Sequence, residues 1–254
     1  MPALSRQQLT VLIALTLVWG INWPIMKLGV TGYPPLTFRT LSMVLGLPVL
    51  GGVLMALKVP FRIERRYWPE LFKLAVFNMF FWHALAIVAI QSLSSGRAAI
   101  LAYTMPIFSA VIGALWFGDR LNARAWSGVA AAALGVALLL WHELTNMAGK
   151  PQGVFLMLTA AATWALGTRM LRRTTLPAPT LSIAFWMTAM TTVLVVGLSL
   201  ALERSLWRWP SSEGWSAVVF NALGVFVFAQ TAWLYLARNL PPVASTLSVM
   251  LIPV

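Results

Sequence analysis

The sequence predicts an all-α fold, a polytopic membrane helix bundle built from two inverted five-helix repeats. Three observations predict it. Of the 254 residues, 60% are hydrophobic and only 9% are charged, whereas an ordinary soluble domain carries about 25% charged residues. The apolar residues fall in runs of about 20, the length that crosses a bilayer as a helix. Segments of the first half also recur in the second at a nearly constant offset of about 146 residues. The net charge of +12 comes mostly from Lys and Arg in short connections between apolar runs. Membrane topology demands that placement, so the charge is not a nucleic-acid signal. The chain has no Cys, which removes disulfides and thiolate metal sites.

Eight full spans and one partial span are expected: 9–30, 34–57, 70–91, 95–117, 124–142, 152–171, 178–202, 214–237 and 241–254. The first follows MPALSRQQ. No A-x-A-like site closes it and WGINWP continues it, so it reads as a retained helix rather than a cleaved signal peptide. The second opens on Pro34-Pro35-Leu36-Thr37, and proline suits a first helical turn. The third carries Asn78, Trp82 and His83. The fourth meets Pro106 in mid-run, where the lost N–H kinks or breaks a helix. The fifth spaces small residues four apart, as Gly128 with Ala132 and Ala131 with Gly135. Such a face lets helices approach closely, so this helix is expected to serve packing or a homodimer contact. The sixth contains Trp164, the seventh opens on Pro177-Ala178-Pro179-Thr180, and the eighth holds Asn221, Gln230 and Trp233. The partial ninth meets Pro253.

The repeat is read from three pairs. LSSGRAAILAYTMPIF, Leu93 to Phe108, returns without a gap as LPPVASTLSVMLIPV, Leu240 to Val254, with Pro106 over Pro253 at an offset of 147. Trp19-Gly20-Ile21-Asn22 matches Trp164-Ala165-Leu166-Gly167 at 145, and the two proline-led openings match near 144. The repeats are therefore 1–146 and 147–254. Five spans per unit is an odd number, which places the copies in opposite orientations, as in carriers whose site lies at the repeat interface. By this symmetry the second copy lacks most of its ninth helix and all of its tenth. A C-terminal truncation within helix nine is the expectation, with a re-entrant tail as the alternative.

Orientation follows from the cations. With the N-terminus inside, Arg6, Lys58, Arg62, Arg65, Arg66, Lys73, Arg120, Arg124, Arg169, Arg172, Arg173 and Arg238 fall on the inner side. Lys27, Arg39, Arg97, Lys150, Arg204 and Arg208 fall on the outer half. The positive-inside rule thus predicts a multi-pass inner-membrane protein with a cytoplasmic N-terminus.

Three stretches stand in order along the first half: WGxN followed by Lys27, PPLTFRTLSMVLGLP with Arg39, and the run from ALAIVAIQ to Gly118-Asp119-Arg120-Leu121. They resemble the EamA domain family of the drug/metabolite transporter superfamily, which shows a GE(R/K)L-like ending at the last of them. PVASTLSVMLIPV resembles the matching part of a second copy. The resemblance covers essentially the whole chain. It implies a ten-helix, inverted-repeat carrier of the inner membrane that exports amino acids or other small metabolites.

Glu64, Glu70, Asp119, Glu143, Glu203 and Glu213 all fall in connections or at helix ends. No carboxylate is expected at mid-membrane, which leaves His83 as the one candidate proton relay there, against the plainer reading of a hydrogen-bonded packing residue. The chain has no HExxH, GxSxG or clustered acids for Mg²⁺, so neither an enzyme nor a cofactor or metal site is expected. Trp19, Asn22, Asn78, Trp82, His83, Tyr103, Trp164, Trp186, Gln230 and Trp233 are the candidate substrate-binding residues. Singly, each amide reads as helix glue and each Trp as an interface residue. As a set they predict an aromatic, amide-lined cavity for a neutral or zwitterionic small molecule with an apolar part. Arg39 and Arg97 read either as interface anchors or as an anion clamp in the outer vestibule. The function expected is secondary transport by alternating access. The alternatives are a non-transporting truncated paralogue and a membrane enzyme or lipid-handling protein.

Overall fold

In the computed structural model, residues 5–146 and 151–239 are described, and they form helices joined by short connections with no strand among them. Among the described residues, seven helices are long and apolar enough to cross a membrane. They are α1 (Arg6–Val30), α2 (Pro35–Ala56), α3 (Arg65–Ser92), α4 (Ser95–Trp116), α6 (Pro151–Arg173), α7 (Thr180–Leu206) and α8 (Ser212–Leu236). Between α4 and α6 lies α5 (Ala123–Asn146), whose stretch Ala123–Leu138 is apolar. The eight full spans read from the sequence thus all form helices. The partial ninth, with Pro253, lies outside the described residues.

Helix ends are fixed by few groups. Ser5 and Gln8 cap α1 reciprocally, Ser5 Oγ accepting from Gln8 N and Gln8 Oε1 from Ser5 N, which satisfies two otherwise orphaned donors. At the other end of α1, Lys27 Nζ donates to the Ile90 and Gln91 carbonyls at 3.0 Å. A cation on the last carbonyls of α3 complements that helix dipole. The α2 N-terminus is capped from a distant part of the chain. The Glu203 carboxylate, at the far end of α7, accepts from Leu36 N at 3.0 Å, Thr37 N at 2.7 Å and Thr37 Oγ1 at 2.8 Å. Beside it, the Tyr33 hydroxyl donates to the Arg208 carbonyl at 2.7 Å. Burial pushes that phenol above its ordinary range, and Arg208 opposes the shift, so Tyr33 stays a donor.

α6 is the central helix, packed on both α3 and α4. Small residues permit this. A Cβ on Gly167 would collide with the Asn78 backbone of α3, and one on Gly113 with the Arg169 guanidinium. Asn78 Nδ2 donates to Thr168 Oγ1 at 3.1 Å across the same contact. Asn78 sits in a π-helical turn, Ala75–Phe80, and α8 contains a longer one, Asn221–Ala229. Val-Phe-Asn occurs at both, as 76–78 and 219–221. Such turns are rare and insert a residue into the helical register.

α4 is broken as its proline predicts. Its halves are Ser95–Ala102 and Met105–Trp116, separated at Tyr103-Thr104, with Pro106 in the first turn of the second half. The connection after α4 is tied back to α6, because Arg169 forms a close ion pair with Asp119 and donates from Nε to the Ser109 carbonyl at 2.8 Å. α5 packs on α4, and its small-residue row is exposed, with nothing within 4 Å of a Cβ added at Gly128 or Gly135. No contact among the described residues uses the close-packing face expected there.

Candidate functional site

Two adjoining cavities lie along the bundle axis. The larger, about 250 Å³, is lined by α4, α6 and α8 and by the α4–α5 connection, through Met105, Ser109, Asp119, Trp164, Thr168, Arg169, Arg172, Arg173 and Trp233 among others. It lies toward the end of the bundle that carries the α4–α5 and α6–α7 connections. The smaller, about 50 Å³, lies deeper, between α1, α2, α3, α4, α6 and α8. This deep chamber is lined by Trp19, Asn22, Trp23, Met26, Arg39, Trp82, His83, Ala86, Tyr103, Met105, Trp164, Val225 and Gln230. Met105 and Trp164 belong to both cavities.

Helical spacing explains which residues meet here. Trp19, Asn22, Trp23 and Met26 sit at i, i+3, i+4 and i+7 of α1, which is one face. Trp164, Thr168 and Arg172 recur every four residues on α6. The break in α4 exposes Tyr103 and Met105 where an unbroken helix would present one continuous ridge. Four tryptophans form the wall between the cavities. Trp19 lies 6.2 Å from Trp164 and 5.5 Å from Trp233, and Trp164 lies 5.2 Å from Trp82 and 5.8 Å from Trp233. Tilted and edge-on contacts at these separations are favourable for aromatic rings.

The deep chamber also collects polar groups that lack partners. Arg39 is only 2% exposed. Its two terminal nitrogens meet neutral groups, Asn221 Oδ1 at 3.2 Å and Met26 Sδ at 3.0 Å, and its Nε has no partner. The Phe226 ring lies 5.4 Å from the guanidinium carbon. Asn22 Oδ1, His83 Nε2 and Gln230 Nε2 are likewise buried without a hydrogen bond. Buried polar atoms are normally paired; of the nine unpartnered buried side-chain atoms among the described residues, four line this one chamber.

The residues singled out in the sequence divide as follows. Trp19, Asn22, Trp82, His83, Tyr103, Trp164 and Gln230 line the deep chamber, and Trp233 lines the larger cavity. Asn78 does not line either; it bonds Thr168 at the α3–α6 contact. Trp186 is also elsewhere, donating from Nε1 to the Phe61 carbonyl at 2.6 Å and packing on Trp68. It anchors the α2–α3 connection to α7. Arg39 is no interface anchor: it is buried inside the bundle, one turn into α2. Arg97 is exposed in the first turn of α4, as an interface residue would be. Trp23, which clusters with Asn22 in the sequence, lines the chamber too, and Met26, which was not singled out, completes the i, i+3, i+4, i+7 face through Trp19 and Asn22.

Seven apolar helices among the described residues, packed around polar-studded cavities, define a polytopic membrane protein. The model of the EamA-like transporter family matches this chain twice, over residues 8–141 and 151–254. The chain belongs to the EamA-like transporter family and is a membrane transporter. It is 29% identical over 92% of its length to the uncharacterized inner membrane transporter YedA of Escherichia coli (strain K12), covering 76% of that protein. It is 23% identical over 96% of its length to the uncharacterized transporter YoaV of Bacillus subtilis (strain 168), covering 84%. A "probable amino-acid metabolite efflux pump" of Escherichia coli (strain K12) is 27% identical over 80% of this chain and 67% of its own length. One solved crystal structure matches with a TM-score of 0.71 at 20% identity, over 97% of this chain and 84% of the other, which is a likeness of fold.

Proposed function

We propose that this chain is a secondary transporter of the inner membrane that exports amino acids or similar small metabolites by alternating access, with its N-terminus in the cytoplasm. The observation that carries the proposal is the deep chamber, where four unpartnered buried polar atoms share one aromatic wall. A chamber of mostly apolar lining with a few convergent polar groups suits a small ligand that has both kinds of surface. The efflux pump among its relatives, named for amino-acid metabolites, supports that class, and YedA, named for the inner membrane, supports the location. The architecture proposed is two inverted five-helix repeats, 1–146 and 147–254. The double family match supports it, as do the meeting of Trp19 with its repeat-mate Trp164 and the paired π-helical turns of α3 and α8. The tryptophan wall is the partition that has to part as the cavity exchanges sides.

Counterflow in proteoliposomes tests this reading. Vesicles loaded with an unlabelled apolar amino acid are expected to accumulate the labelled compound. Trp164→Ala, which opens the partition, is expected to lower the initial rate at least about tenfold, the scale of a lost aromatic contact at a site. Absence of counterflow across a panel of amino acids and their metabolites overturns the proposal.

A further inference from the structure

Resting on the reading of the deep chamber as the substrate site, we infer that Arg39 is the carboxylate-binding group of this transporter, and that its substrates are small carboxylates with an apolar body. The argument begins with charge. A buried guanidinium without a counter-ion is unfavourable, because removal from water is compensated only by pairing. Arg39 lies inside the bundle, and no carboxylate among the described residues is within 4 Å of it. Its contacts are an amide oxygen, a thioether sulfur and aromatic faces. These hold the guanidinium in place and leave its charge unneutralised.

The other cations near the path are placed differently. Arg169 is spent on Asp119 and the Ser109 carbonyl, and Arg173 lies 3.8 Å from Asp119. Arg39, by contrast, has no carboxylate partner among the described residues. The orphaned donor of Gln230 and the ring nitrogen of His83 line the same chamber, and a carboxylate offers enough lone pairs to satisfy several donors at once.

Size fixes how the ligand lies. At about 50 Å³ the chamber has room for a few waters by the usual measure, and so for a head group but not for a whole metabolite. The larger cavity of about 250 Å³ shares Trp164 and Met105 with it. The carboxylate lies in the chamber at Arg39, and the apolar body extends past the tryptophans. An ammonium group on the same ligand is accommodated by the acceptor Asn22 Oδ1 and by tryptophan faces.

The test uses the purified full chain in nanodiscs and reads tryptophan fluorescence with leucine, leucinamide, 4-methylpentanoate and 4-methylpentanamide. Each acid is expected to bind about ten- to a hundredfold more tightly than its amide, the scale of a charge-assisted hydrogen bond inside a protein. Arg39→Gln is expected to erase the acid-over-amide ratio, and Arg39→Lys to retain part of it. A purely structural Arg39 would change stability and leave that ratio unmoved. Equal binding of acids and amides by the natural protein overturns the inference on Arg39 alone, even should neither variant fold, and leaves the chamber as a site. Failure of all four compounds to perturb the fluorescence overturns both this inference and the substrate class on which it rests.

Discussion

Arg39 and Gly167 show how single residues set this molecule's two requirements, a charged interior and close helix packing. Arg39 is held without an acid beside it. Gly167 leaves no room for a side chain, since its missing Cβ is where the Asn78 backbone of α3 passes. Gly167→Ala must push α6 off α3 and is expected to cost about 1–3 kcal/mol, the usual scale of overpacking. A drop in detergent thermal stability of several degrees checks this. Gly128→Ala, with open space around it, serves as the matched control and is expected to cause no loss. Residue by residue, the candidate site was largely legible in the sequence, because polar and aromatic groups on apolar helices are few and most of them converge here. Asn78 and Trp186 were misread for one physical reason. An amide or indole N–H inside a bundle is satisfied equally well by a neighbouring helix or a connection, and only the fold decides which. Arg39 was placed too near the surface because its one-turn depth in α2 says nothing of how α1 and α8 close over it.

At the scale of elements, regular helices were the legible part and their interruptions were partly so. The eight spans follow from run length alone. The break in α4 follows from Pro106, which has no N–H to give to Ala102 one turn earlier. The π-helical turns in α3 and α8 were not foreseen, because their register is set by packing as much as by the local sequence. The repeated Val-Phe-Asn was the available signal. The α4 break carries the next prediction. Pro106→Ala restores the donor and favours a continuous helix, which would rotate Tyr103 and Met105 in the chamber wall. Thermal stability is expected to hold or rise, since the substitution adds a backbone hydrogen bond worth about 1 kcal/mol, while the counterflow rate falls. A variant that transports normally would show that the break is packing geometry without a role in the cycle.

For the whole molecule, the distribution of cations decides how the cavities face the cell. The end of the bundle that carries Arg62, Arg65, Arg66, Arg120 and Arg173 is also the end toward which the larger cavity lies, with Arg172 and Arg173 in its wall. The opposite end holds the clasp of Tyr33, Glu203 and Arg208, beyond the deep chamber. In the orientation proposed from the positive-inside rule the first end is cytoplasmic; the larger cavity would then lie on the side from which an exporter loads, where its Arg residues would raise the local concentration of anionic solutes. The absence of Cys from the sequence makes this orientation directly measurable. Arg62→Cys, in the α2–α3 connection, and Ser205→Cys, in the last turn of α7, both at exposed positions and at opposite ends of the bundle, are expected to react oppositely with a membrane-impermeant maleimide. In intact spheroplasts Ser205→Cys labels and Arg62→Cys does not, and in inside-out vesicles the pattern reverses. The opposite pattern would put the larger cavity outside, and with it the loading side of the carrier. The same chamber and the same Arg39 would then describe an importer that captures carboxylates from outside the cell, because the cation distribution alone sets the direction argued for here.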